Sequence, residues 1–229
     1  MSWILDNLDL IWSLSLDHLR QSIVPIVLSF IIAVPIGWSA FRYTKLRGPV
    51  LTTVGLLYTI PSLGLFAVLA ASFGFRMDSE INLIVALTIY GVAIMVRSVT
   101  DGLESADPSA RAAAVAVGYG PWRRFWAVEF PLAGPVMLAG LRVTATSTIS
   151  LATVGILIGI QNLGYLFTNG GQRRIIPEVL AGVVAVVVIA IIVDLVLALA
   201  GRLLMPWLPT RAATRRERRA ARSAKAAIA

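Results

Sequence analysis

Charged side chains divide this chain into long apolar runs separated by short polar ones. Five stretches pass with few or no charges: residues 21–41, 49–75, 81–96, 132–160 and 179–204. A bilayer core needs about twenty apolar residues per helical crossing, and most of these runs meet that length. They are far too long for barrel strands, and in lipid only helices satisfy their own backbone without closing a barrel. The pattern therefore predicts an all-α integral membrane protein with about five transmembrane helices. Interruptions mark several of them. Pro25, Pro35 and Gly37 break the first, Pro61 sits near the middle of the second, and Glu80 and Arg97 bound the third. Arg142 lies in the first half of the fourth and Asp194 inside the fifth.

Composition agrees with this class. Of 229 residues 58% are hydrophobic and 14% charged, where a soluble domain carries roughly a quarter charged residues. The absence of cysteine excludes disulfides, Cys-ligated zinc and thiol catalysis. Asp6, Asp9 and Asp17 argue against a cleaved signal peptide, which needs a basic start and an uninterrupted apolar centre. The net charge of +8 suggests nucleic acid until its distribution is plotted. With the N-terminus outside, the inward set holds Arg42, Lys45, Arg47, Arg97, Arg111, Arg123, Arg124, Arg142, Arg202 and the seven basic residues of the tail, against Arg20, Arg76, Arg173 and Arg174 outside. That asymmetry is the positive-inside signature, so the N-terminus is expected outside and the C-terminus in the cytoplasm. Residues 1–205 form the transmembrane domain on this reading. Residues 206–229 form a disordered basic tail that touches anionic headgroups, with no domain to organise nucleic-acid binding.

The polar insert at 99–131 is expected on the cytosolic side. Its core, RAAAVAVGYGPWRRFWAVEFP from position 111, reads as two short helices joined by Gly118-Tyr119-Gly120-Pro121. Small residues at 112–114 and 116 leave a flat face for another protein. Gly118 and Gly120 permit positive φ, and Pro121 suits a helix start. Tyr119, Trp122, Phe125 and Trp126 are candidates to plug an apolar pocket, and Arg123 and Arg124 to reach acidic rims or lipid phosphates. The competing reading is an amphipathic helix lying on the membrane.

These residues also carry a resemblance. Ala112-Ala113-Ala114, Gly118 four positions on, then Val128, Phe130 and Pro131 keep the spacing of the cytoplasmic loop signature of bacterial ABC importer permeases: Glu-Ala-Ala, three residues, Gly, nine residues, Ile, one residue, Leu-Pro. Ala112 stands where that signature has Glu. Thr59-Ile60-Pro61-Ser62-Leu63-Gly64-Leu65-Phe66-Ala67, the run from Pro131 to Arg142, and Ile158 to Tyr165 are similar to the glycine betaine, carnitine and choline subfamily. The resemblance implies a type I ABC importer permease-like fold in the bacterial inner membrane, working by alternating access. It implies a nucleotide-binding ATPase docked on a coupling loop of Ala112, Ala113, Ala114, Gly118, Tyr119, Gly120, Trp122, Arg123 and Pro131. It further implies a second permease copy, identical or sister, and an extracytoplasmic substrate-binding protein. ATP and Mg would belong to the partner: no G-x-x-x-x-G-K-[S/T] occurs here, and the only lysines are Lys45 and Lys225. A methionine importer permease has a similar size and loop and is the alternative solute assignment.

Within the spans, Pro61 frees a carbonyl in mid-membrane and, with Thr59 and Ser62, is a candidate to line a solute path at a broken helix; the alternative is an ordinary kink. Gly155 and Gly159 form a G-x-x-x-G that suggests close helix packing. Arg142 and Asp194 fall at about 14–15 Å from the cytosolic ends of antiparallel helices, so the expectation is an ion pair, with snorkelling and a separate polar partner as the alternative. Tyr58, Phe66 and Tyr90 are explained by packing as well as by a cation site. No enzyme is expected: there is no G-x-S-x-G and no metal cluster, and the single histidine, His18, is read as interfacial. A proton-coupled secondary transporter using Asp194 is the rival from another class.

Overall fold

The structure, a computed structural model, describes residues 2–207; of the basic tail only Pro206 and Trp207 fall within it, and residues 208–229 lie outside the described residues. All regular structure among the described residues is helical. A short α1 (Ser2–Asp6) precedes α2 (Leu8–Arg42), which passes through both Pro25 and Pro35 without ending. The expected break of the first span is thus absent. A proline inside a span bends rather than stops a helix, and here Pro25 is buried while Pro35 lies on the exposed side of α2.

The second apolar run behaves in the opposite way. It is two helices, α3 (Thr44–Thr59) and α4 (Ser62–Phe73), bent by 105° at Ile60-Pro61. Pro61 has no N–H to continue α3 and pushes Ile60 into the extended region, at ψ 128°. The Tyr90 hydroxyl donates to the Ile60 carbonyl at 2.5 Å, so the break is fastened to the next helix.

That helix, α5 (Glu80–Ser105), starts at a Ser79 cap that accepts from the Asn82 N–H. It runs well past Arg97, which was expected to bound it. Arg97 and Asp101 lie on an exposed stripe while Val96, Val99, Thr100 and Leu103 stay buried, so the amphipathic period continues through the charges. Asp107 caps α6 (Pro108–Ala116) by accepting from the Ser109 N–H at 2.8 Å, and that bond holds its carboxyl below the usual range. α7 (Pro121–Arg124) is the expected second helix of the insert, but it does not stand alone. It flows through a π-helical turn (Phe125–Glu129) into α8 (Phe130–Ala152), giving one continuous rod that ends in a 3₁₀ turn (Thr153–Ile158). A short α9 (Gly164–Arg173), which the apolar pattern does not announce, precedes α10 (Ile176–Leu204).

α5 is the central helix, packed against α2, α3, α4 and α8. The helices meet at small residues, as lipid-embedded packing requires. A Cβ on Gly91 would stand 2.1 Å from the Ser29 hydroxyl of α2, one on Gly140 2.2 Å from Ser98 of α5, and one on Gly201 2.1 Å from Leu138 of α8. Gly140→Val is accordingly expected to cost about 1–3 kcal/mol by overpacking, read as a lower thermal midpoint of the detergent-solubilised protein. At the α9 end, buried polar groups replace apolar contact. Asn162 donates to the Gln21 side chain and the Ala152 carbonyl and accepts from the Gly164 N–H, while Gln21 donates to the Gln161 carbonyl. His18 belongs to this region and is fully buried, its Nε2 3.0 Å from the Ile149 carbonyl. It is a core residue tying α2 to α8, not an interfacial one. Gly155 and Gly159 do not form a helix face. Gly155 lies in the 3₁₀ turn against Leu83 and Asn162, and Gly159 ends it at φ 91°.

Candidate functional site

Three features along the bundle carry functional geometry: the knob built by α6 and α7, a cleft between α3, α5 and α8, and a paired charge between α8 and α10.

The knob turns at Gly118. Its N–H donates to Val115 O and the Tyr119 N–H to Ala114 O, both at 2.9 Å, closing α6 with φ 84° at Gly118. This is the left-handed cap that glycine adopts without penalty. Gly120 does not share the conformation; its φ is −66°. Ala112, Ala113, Ala116 and Gly118 are exposed while Ala114 is buried, so α6 presents a face of small residues, bordered by the exposed Val115 and Val117. Arg111 anchors that helix from beneath, donating to Leu103 O at 3.2 Å and Ala106 O at 2.7 Å and stacking 5.0 Å over the Phe41 ring. Arg123 stacks 4.2 Å over Tyr119, and Pro131 lies in the first turn of α8. The aromatic residues read as plugs for a partner's pocket divide, with Trp122 and Trp126 exposed at 64% and 48%. Phe125 is buried, and Trp122 and Phe125 pack on Trp38 of α2 with centroids 5.9 and 5.5 Å away. The continuous helix from Pro121 sets Phe125 and one edge of Trp122 against α2 and leaves Trp126 and the rest of Trp122 exposed.

Position 112, which is Ala here, borders a small cavity of about 280 Å³ lined by Arg42, Arg111, Arg124 and Glu129 among others. Glu129 is 1% exposed and accepts from Arg124 Nε at 2.8 Å. In a regular α-helix residues five apart diverge by about 140° around the axis. The π-helical turn between them removes that divergence and closes the pair.

The cleft, about 580 Å³, is lined by Tyr58 of α3, by Tyr90, Gly91 and Ile94 of α5, and by the hydroxyl row Thr146, Ser147, Thr148, Ser150 and Thr153 along α8 and its end. Tyr58 and Tyr90 meet edge to face at 6.0 Å. Thr146 and Ser150 are exposed along it, so no helix among the described residues closes that side. Thr59, Pro61 and Ser62 stand at the α3–α4 break beside Tyr58 and outside the cleft lining; Thr59 spends its hydroxyl on the Leu56 carbonyl. Phe66 is fully buried packing. The sequence already offers Tyr58 and Tyr90 as a cation site; the hydroxyls escaped it because serine and threonine in a span count as neutral. Their i, i+3/i+4 recurrence at 146, 150 and 153 was the available signal.

Arg142 grips Asp194 through two parallel bonds, Nε to Oδ1 and Nη2 to Oδ2, each 2.6 Å. The fork geometry is that of a bidentate guanidinium–carboxylate pair. It bridges α8 and α10 within two turns of the Gly201–Leu138 contact.

A half-open cleft lined with hydroxyls among apolar helices, with a cap-terminated knob, is the geometry of a membrane-embedded component with one open side. The chain belongs to the family of binding-protein-dependent transport system inner membrane components, which matches residues 26–208. It is therefore the multi-pass inner-membrane component of an ATP-driven importer. Such a component works with separate ATPase and substrate-binding partners and is not itself an enzyme. Curated relatives include the osmoprotectant import permease protein OsmW of Salmonella typhimurium, 32% identical over 84% of this chain and 90% of that protein. Another is the glycine betaine/carnitine/choline transport system permease protein OpuCB of Bacillus subtilis, 33% identical over 83% and 86%. Among solved structures, an inward-facing form of the MetNI methionine ABC transporter superposes with a TM-score of 0.73 at 20% identity, covering 89% of this chain and 99% of that one. At that identity the likeness establishes the fold alone.

Proposed function

We propose that this chain is one half of the translocation pathway of an importer for osmoprotectants of the quaternary ammonium class, among them glycine betaine, choline and carnitine. The carrying observation is the cleft. A row of hydroxyls and a tyrosine pair on the open side of α5 and α8 suit a small solute with a cationic head and a polar tail, because aromatic faces attract ammonium groups and hydroxyls satisfy carboxylate or alcohol. An unclosed cleft calls for a second permease, identical or sister, to supply the other wall. The knob faces the cytosol with the C-terminus, and the N-terminus lies outside. The ATPase docks on the flat face of α6, carries ATP and Mg itself, and rocks the helices through the rigid rod that begins at Pro121. The break at Pro61, held by Tyr90, lets α3 and α4 move against each other next to the solute. Pairing of Arg142 with Asp194 makes α8 and α10 move as one body.

The test is uptake of labelled glycine betaine and choline by membrane vesicles containing the whole complex. Expected are ATP dependence, block by vanadate, insensitivity to an uncoupler and no competition by methionine. Methionine competition would move the solute assignment. ATP-independent uptake abolished by an uncoupler would overturn the mechanism and put Asp194 at its centre. Docking is read separately. Any side chain at 118 must hold φ 84° at about 1–2 kcal/mol, and a Cβ there meets no neighbour within 4 Å. Gly118→Trp is expected to release the co-purifying ATPase, with Gly118→Ala intermediate; full recovery with the Trp variant would exclude the α6 face.

A further inference from the structure

Two cavities adjoin along the seam between α2 and the α7–α8 rod, and the reading above uses neither. One is the basic cavity bordered by Arg42, Arg111 and Arg124. The other is an apolar groove of about 480 Å³ between Ile31, Trp38, Trp122, Trp126 and Phe130. Their linings follow one stripe of α2, Val34 and Trp38 continuing into Phe41 and Arg42, and meet on the rod at Arg124 and Phe125 and at Glu129 and Phe130. We infer that this seam holds one anionic phospholipid, with its phosphate at Arg42 and Arg111 and an acyl chain in the tryptophan-lined groove.

Charge decides the headgroup. Three guanidinium groups line the basic cavity against one carboxylate, Glu129, and Arg124 already occupies that carboxylate. Arg111 satisfies two backbone carbonyls and keeps a buried Nε without a partner, and Arg42 forms no salt bridge among the described residues. Ala112 adds no acid. Depth decides the tail. Arg42 closes α2 at the knob end, and the groove runs from there up the same helix to Phe30, inside the span. Tryptophans at that level are the usual interfacial belt, and basic pockets between helices on this side take lipid phosphates. Ile31 is 59% and Trp126 48% exposed, so the described residues leave the groove open to an occupant.

Native mass spectrometry of the full chain, purified with whatever partners accompany it, tests this with phosphatidylglycerol and phosphatidylcholine of the same acyl composition. Phosphatidylglycerol is expected to stay bound preferentially. Arg42→Gln should cut its retention about fivefold, and Ile31→Trp, which fills the groove from an exposed position, should displace it as well. Equal retention of both lipids by the unmodified chain, or retention unchanged in both variants, overturns the site. Displacement by free glycerol phosphate as readily as by lipid would reduce it to a phosphate site without a tail. Loss of the ATPase in Arg42→Gln with lipid unaffected would assign the arginines to an acidic partner surface instead.

Discussion

Arg142→Asp is expected to leave the protein scarcely detectable in the membrane and to abolish uptake, and adding Asp194→Arg is expected to restore a substantial part of both. The bonds between these side chains are short, parallel and bidentate, so each charge has the other as its chief compensation inside an apolar pair of helices. Reversing Arg142 alone places two carboxylates together at a depth where even one unpaired charge is rare. The double reversal recreates an opposite pair, although a carboxylate on α8 and a guanidinium on α10 will not reproduce the fork at full quality, so rescue should be partial. The readout is the amount of folded protein by fluorescence size exclusion, followed by transport per folded molecule. A double variant no better than the single one would show that the two residues act separately. Rescued folding without rescued transport would give the pair a role in movement as well as in assembly.

What the sequence made legible here was set by length and charge. The runs without charge mark every span, because lipid enforces that signal over about twenty residues at a time. The spacing from Ala112 to Pro131 marks the knob, since a glycine in a left-handed cap cannot be moved without rebuilding the turn. Local backbone choices were not legible. Pro25 and Pro35 leave a helix running while Pro61 breaks one, and the difference lies in what stands opposite: the Tyr90 hydroxyl waits for the Ile60 carbonyl from thirty residues away. The π-helical turn has no residue signature, so the packing of Phe125 and one edge of Trp122 against Trp38 was not legible in the aromatic run after Pro121. The polar fastening of the α9 end by Gln21, His18 and Asn162 connects residues more than a hundred apart, beyond the reach of any periodicity.

That same turn sets up the second large effect. Glu129 is essentially buried and its only cationic contact among the described residues is Arg124, itself 18% exposed in its side chain. Removing one member of such a pair strands the other and costs about 3–5 kcal/mol, a large share of the 5–15 kcal/mol that holds an ordinary domain together. Glu129→Leu is therefore expected to lower the thermal midpoint sharply and, because the pair closes the base of the knob, to weaken ATPase recovery in parallel. Replacing both charges, Arg124→Met with Glu129→Leu, is expected to recover most of the midpoint, since apolar side chains of similar volume avoid the desolvation that the ion pair has to offset. Comparing the two variants separates packing from docking. If the double variant regains its midpoint yet still recovers no ATPase, the charges at the knob's base serve the partner contact directly. If both return together, the pair acts by holding the rod and α6 in register, and the flat face of α6 is what the partner reads.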